Sequence, residues 1–191
     1  MAGYNFESRK SDNKVAEAEK RAEGWSESAN LLARHASDSD ILPLDDNERK
    51  KARDKGIEVP ADRFKFPCDR LREIWVANAS SQKLTKHEAE FLTGGWLEVF
   101  VWNLLRQNAD ALDIWDVRLG MEVGLCGDTT GNDFDVSFMH NYGLSMVECK
   151  SGSQDHGPST DILAKSRRLH GSSVLCECVL TSQQPVPTCS T

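Results

Sequence analysis

Four charged residues on two neighbouring stretches could do chemistry together. Asp133 and Asp135 stand two apart in DFDVSFM, and Glu148 and Lys150 two apart in LSMVECK. Each stretch alternates polar and apolar residues, the pattern of a β-strand, and side chains two apart on a strand share a face. The four-residue loop HNYG joins them. With Met139 and Leu144 flanking that loop as a pair, Asp135 falls opposite Glu148 and Asp133 opposite Lys150. The four then gather on one face, and Phe134, Val136, Val147 and Cys149 face the core. A bulge in either strand would spoil this alignment. Opposed carboxylates repel across a strand pair. Lys150 offsets one, and a divalent cation would offset the rest. Mg²⁺ takes one or two carboxylates and fills its other positions with water and phosphate. Such an ion polarises a phosphoryl oxygen and lowers the pKa of a bound water, and a lysine beside it can steer that water. This is the minimum apparatus for hydrolysing a phosphodiester. A solvated, mixed-charge sheet face with one salt bridge is the other reading of the same residues.

The elements that must position these residues run from about residue 84. Phe91, Leu92, Leu97, Val101, Leu104 and Leu105 approximate a helical stripe interrupted at Gly94-Gly95, so a helix is expected from near Gly95 to about Asn108, carrying Glu98. A strand is expected over 114–123, then the hairpin strands, a helix over 161–169 and a last strand over 173–180. Upstream, residues 14–23 are strong helix formers with almost no apolar face, so a solvated or frayed helix is expected there. A second short helix is expected over 26–36, N-capped by Ser26 or Ser28. A charged helix over 46–55 should stop at Gly56. Pro60 and Pro67 make 57–67 an extended connector, and an amphipathic helix is expected over 70–79. The expected organisation is a charged, partly helical N-terminal extension (1–83), one compact domain (84–181) and a disordered tail (182–191).

Composition sets the class. Of 191 residues 39% are hydrophobic, and with the 13 glycines this is the proportion of a globular chain. No apolar run is long enough to span a membrane, and no secretory signal opens the chain, so a cytoplasmic protein with six reduced cysteines is expected. The net charge of −7 argues against coating nucleic acid by charge alone. That acidity is local: residues 88–150 hold 11 Asp and Glu against 3 Lys and Arg, whereas residues 1–87 hold 16 against 17.

The segments GGWLEVFVWNLL and GNDFDVSFMHNYGLSMVECKSG resemble the C-terminal PD-(D/E)xK nuclease domain of CRISPR-associated CARF-domain nucleases, of the restriction-endonuclease-like superfamily. That family carries a Gly-Trp-Leu-Glu helix, an Asn-Glu-x-Asp-Val strand and an Ile/Val-Glu-Cys-Lys-Thr strand, and the resemblance covers about residues 90–180. It implies an α/β fold with a restriction-endonuclease-like α-β-β-β-α-β core behind a mainly helical or irregular N-terminal extension. It further implies Mg²⁺- or Mn²⁺-dependent endonuclease cleavage, with Asp135 as central metal ligand, Glu148 as second metal carboxylate, Lys150 as catalytic lysine and Glu98 as an auxiliary ligand of metal or water. Asp133 stands where the family has glutamate, which leaves it a supporting role. Ser151 stands where threonine is usual.

Lys165 is a candidate phosphate contact, and His140, in the hairpin loop, a candidate to approach substrate. The basic run 49–53 could touch a phosphate backbone, but interleaved acids favour a solvated helix. The expected partner is nucleic acid, DNA ahead of RNA, and a homodimer is compatible with the family. The 87 residues before the match show no run of βα units, so the family's cyclic-oligoadenylate sensor is not expected, nor is activation through it. The alternative to a nuclease is a non-catalytic binding or assembly module derived from one.

Overall fold

The computed structural model describes residues 6–8, 12–35, 41–125, 132–151 and 174–180. Its centre is a five-stranded mixed sheet in the order β1-β4-β5-β6-β7, built from β1 (Phe6–Ser8), β4 (Ile114–Leu125), β5 (Asn132–His140), β6 (Gly143–Ser151) and β7 (Val174–Leu180). Strands β4, β5 and β6 form an antiparallel meander, and β7 returns parallel to β6. A parallel return requires a crossover connection. The helix expected at 161–169 lies outside the described residues, as do Lys165 and the tail. The strand expected at 173–180 is β7. The sheet and the helix ahead of it form a mixed α/β core, as expected.

That helix is α5 (Trp96–Gln107), which buries Trp96, Leu97, Val99, Val101, Trp102 and Asn103 against the sheet. It continues α4 (Lys86–Glu90) through a wide turn over Phe91–Gly95. The break expected at Gly94-Gly95 is there. Gly94 has φ 148°, outside helical geometry, and a Cβ on Gly95 would stand 3.2 Å from the Glu90 carbonyl oxygen. Thr85 starts α4 with a capping box closed by Glu88.

The N-terminal region departs from expectation. In place of two short helices, one frayed, it holds a single helix α1 (Asp12–His35), and Ser26 and Ser28 lie inside it. The buried residues of α1 are Val15, Ala22, Ser28, Ala29 and Leu32. Val15, Ala22 and Ala29 repeat at seven-residue spacing, the seam of a close helix contact. Small side chains make this stripe, so a search for large apolar residues misses it. The serines are packed instead of capping: the Ser28 hydroxyl accepts from Trp75 Nε1 at 3.1 Å, and the Ser26 hydroxyl accepts from Asn103 Nδ2 at 2.9 Å. Glu23 meets Arg106 of α5 at 2.9 Å. Strand β1 was not expected either. It borders β4, with Phe6 opposite Leu125 and Ser8 opposite Val123.

Between α1 and α4 the chain forms α2 (Asp46–Lys55), β2 (Ile57–Pro60), a 3₁₀ turn at Ala61–Arg63, α3 (Asp69–Trp75) and β3 (Ser81–Leu84). The charged helix α2 ends at Gly56 as expected. Gly56 has φ 77°, and a Cβ there would lie 2.3 Å from the Leu84 carbonyl oxygen, so only glycine suits both the cap and the adjoining ladder. The connector is extended as expected but becomes a strand, because β2 pairs antiparallel with β3. Trp25, Trp75 and Phe91 stack where α1, α3 and the wide turn meet, with centroids 4.9 to 6.4 Å apart. One core joins this region to the sheet: Ala22, Leu32, Trp75, Leu97, Trp102, Leu119, Val136 and Val147 belong to the same buried cluster. No helix among the described residues is long and apolar enough to cross a membrane.

Candidate active site

The β5–β6 hairpin has the register expected from the sequence. Met139 pairs with Leu144, and the ladder runs from His140↔Gly143 to Val136↔Val147. The loop is shorter than HNYG: two residues turn the chain, Asn141 and Tyr142, both with positive φ, the geometry of a tight hairpin. His140 therefore ends β5, five residues from Asp135. At about 3.3 Å per residue that is about 17 Å along the strand. Its ring approaches the Asn141 side chain at 3.3 Å.

Beyond Val136↔Val147 the two strands are joined differently. The Asp135 carboxylate accepts the backbone N–H of Cys149 through Oδ2 at 2.6 Å. Asp135 thus reaches sideways to β6, beside Glu148, in place of rising from the sheet face. Across the ladder on β4, Gly120 lies between the pairs Leu119↔Val136 and Met121↔Phe134 and has φ 66°. A left-handed residue in one strand upsets side-chain alternation there. The effect is visible in the packing. Val136, Val147 and the partly buried Cys149 join the main core as expected. Phe134, expected with them, packs instead with Met146, Met121 and Leu144 in a second cluster.

Glu148 is 4% exposed, a buried carboxylate between two residues of the main core. Strand alternation puts it on the opposite face from Val147 and Cys149. Lys150 and Ser151 follow on the same strand, and β7 pairs along this whole stretch, with Glu148 opposite Glu177 and Lys150 opposite Val179. Asp133 is exposed and pairs with Glu122 of β4. Among the described residues the β5–β6 ladder runs as far as Val136↔Val147, short of the pairing expected between Asp133 and Lys150.

Glu98 comes from α5. It is half-buried on the first turn of α5 and lines a cavity of about 620 Å³ bounded by α1, α4, α5 and β4. Gly120 is on the wall of the same cavity, which therefore comes up to β4 directly across the ladder from Asp135. Among the described residues, no three His, Cys, Asp or Glu side chains come together as a metal-holding group. Asp135 and Glu148, on adjacent strands, make a hard-oxygen pair, which suits Mg²⁺ or Mn²⁺ with water and phosphate completing the coordination. The sideways turn of Asp135 was not legible beforehand. The signal that could have revealed it is Gly120, an isolated glycine inside a strand pattern.

Residues 85–171 match the family model of the Card1-like endonuclease domain. The resemblance to the PD-(D/E)xK nuclease domain therefore holds over the stretch that contains Glu98, Asp135, Glu148 and Lys150. No curated protein matches the sequence. Among solved structures, protein VC1899 from Vibrio cholerae is similar with a TM-score of 0.53 and 20% identity, over 95% of this chain and 50% of that one. Can2 from Sulfobacillus thermosulfidooxidans, solved in complex with cyclic tetra-adenylate, aligns at a TM-score of 0.38 and 20% identity, over 90% of this chain and 54% of its own. The chain spans about half the length of these two proteins.

Proposed function

We propose that this chain is a divalent-metal-dependent nuclease that hydrolyses phosphodiester bonds of nucleic acid, DNA ahead of RNA, in a CRISPR-linked defence setting. The observation that carries the reading is the Asp135–Cys149 hydrogen bond, 2.6 Å long. It holds the Asp135 carboxylate against β6, next to the buried carboxylate of Glu148. The family match over 85–171 supports the same assignment.

In this reading Asp135 and Glu148 hold Mg²⁺ or Mn²⁺, which when bound supplies charge for the phosphoryl oxygen and acidifies a coordinated water. Burial excludes bulk water from Glu148, which strengthens its attraction for a cation. Lys150, two residues along β6, shares the strand face of Glu148. There it orients the attacking water and meets charge developing on the phosphoryl oxygens. Glu98 acts from α5 by hydrogen bonding to water on the cavity side. Asp133 and Ser151 flank these groups in supporting roles.

The test is Mn²⁺-dependent cleavage of labelled DNA and RNA by the purified chain. Cleavage that survives both Glu148→Ala and Lys150→Ala unchanged rejects the reading. The scatter of acidic groups that forms no three-ligand cluster among the described residues favours a second reading, a non-catalytic binding module. Calorimetric titration with Mn²⁺ separates the two, because only the nuclease reading requires a site that Asp135→Asn and Glu148→Gln abolish.

A further inference from the structure

The end of the sheet that carries the β5–β6 turn exposes two large rings. Tyr142, in the turn, is 94% exposed, and Trp115, at the start of β4, is 42% exposed. They meet edge to face with centroids 6.0 Å apart. Leu112 ends the short helix α6 (Ala109–Leu112) three residues before Trp115 and is exposed as well. A single exposed apolar side chain needs no explanation, whereas adjoining ones with a polar rim mark an interaction site.

The backbone under the rings is unusual too. Among the described residues five non-glycine residues have positive φ, and four of them are here: Asp113 (51°), Asp116 (52°), Asn141 (48°) and Tyr142 (60°). Aspartate and asparagine enter the left-handed region readily, but a tyrosine there is strained. The second residue of a two-residue hairpin turn is ordinarily glycine. Burial does not offset the strain at Tyr142, because its ring stands in solvent. A local conflict of this kind is where an interaction is expected.

Charge decides what the surface meets. Asp110 and Asp113 are both exposed, and one turn holds them together, with the Asp113 N–H donating to the Asp110 carbonyl at 3.4 Å. Neither carboxylate enters an ion pair among the described residues. Arg118, further along β4, is already held by Asp116 at 2.6 Å. Open rings beside free carboxylates suit arginine, whose guanidinium stacks on an aromatic face and donates to a carboxylate from its edge. A nucleic acid would bring phosphates against the same two acids, and a second copy of this patch would set the acids against themselves.

We infer that the Leu112–Trp115–Tyr142 surface docks a basic protein segment. An arginine of that segment lies on the two rings and pairs with Asp110 or Asp113, and an apolar neighbour covers Leu112. The surface stands about 17 Å along β5 from Asp135, so a segment docked there leaves the carboxylate corner open. The inference is independent of the nuclease reading.

The probe is a fluorescein-labelled Arg-Leu-Gly repeat peptide, and binding to the full chain is read by anisotropy in chelator. Trp115→Ala and Tyr142→Gly should each weaken binding about tenfold or more. Asp110→Asn/Asp113→Asn keeps residues that tolerate the turn; it should weaken binding and flatten its dependence on salt. Asp46→Asn/Asp54→Asn makes the same change of charge at exposed positions on α2 and should bind like the wild type. Tyr142→Gly should melt no lower than the wild type, since glycine suits this φ. Four outcomes overturn the inference. The wild type fails to bind the peptide, or Tyr142→Gly binds it as tightly as the wild type. The α2 variant loses as much affinity as the Asp110/Asp113 variant, so that net charge alone is at work. Or the surface serves another occupant: single-stranded DNA whose binding is lost in Tyr142→Gly, or a dimer in sedimentation that Tyr142→Gly dissociates.

Discussion

The N-terminal layer and the β5–β6 corner satisfy their polar groups in opposite ways. In the N-terminal layer polar groups find partners by standard local devices. Asp45 and Glu48 cap α2 reciprocally, Arg63 binds both oxygens of Glu48, and Arg63 Nη2 donates to the Pro43 carbonyl at 2.6 Å. In the corner a backbone amide on β6 is taken by a side chain, and a carboxylate is buried on the neighbouring strand. The first arrangement draws on neighbours in sequence, whereas the second joins groups from separate strands. Departures from local rules are where a functional site is expected.

The largest expected effect tests that division. Glu148→Gln keeps the shape of a buried side chain and removes its charge. Cleavage should fall about a thousandfold or more, the loss of several kcal/mol of transition-state stabilisation. The melting temperature should change little, because glutamine keeps the volume of the side chain. A large fall in melting temperature with cleavage retained would erase the distinction, since the corner would then be merely structural.

Leu32→Ala is the mirror experiment. Leu32 is fully buried on α1, in the same cluster as Leu97 and Val136. Removing it should cost about 2–5 kcal/mol of stability, read by urea unfolding, while the folded fraction keeps its cleavage rate. Should stability hardly change, α1 would be a detachable appendage and its share of the core illusory.

These two sites also show what the sequence made legible. The hairpin register could be read because strand alternation has a period of two and Met139 and Leu144 close a short loop. Gly94-Gly95 and Gly56 were legible because each breaks a helix by a local rule. The burial of α1 was not, since Ala22, Ser28 and Ala29 become apolar contacts only once α5 stands opposite. Asp135's turn to the Cys149 amide was hidden for a related reason: it depends on Gly120 of another strand. Short-range patterns survive in sequence, and cross-element substitutions of one hydrogen-bond partner for another do not.

Gly56→Ala should cost less than the loss of Leu32. Its φ of 77° and the Leu84 carbonyl oxygen 2.3 Å from an added Cβ force α2 and the β2–β3 ladder to yield. A loss of about 1–3 kcal/mol is expected in urea unfolding. Nuclease activity of the folded protein should be untouched, because Gly56 belongs to the N-terminal layer.

The smallest effect concerns the half-buried Arg63–Glu48 ion pair of that layer. The Arg63 hydrogen bonds, and then the Asp45 amide, pull the Glu48 carboxyl from its ordinary 4.5 down to about 2. A folded value below the unfolded one stabilises the ionised form. The contribution is complete above the ordinary value and disappears as pH falls from about 4.5 through about 2. About a third of each side chain still meets solvent, so salt screens the pair and its effect on stability is modest. Glu48→Gln should lower the melting temperature slightly at neutral pH, and the gap from wild type should close on acidification across that window. The gap should also narrow at high salt. A gap that persists at the acid end would mean that Glu48 acts through the Asp45 capping box, whose hydrogen bonds need no charge. The N-terminal layer would then owe its order to local backbone partners alone, and the contrast with the buried charge at Glu148 would be sharper still.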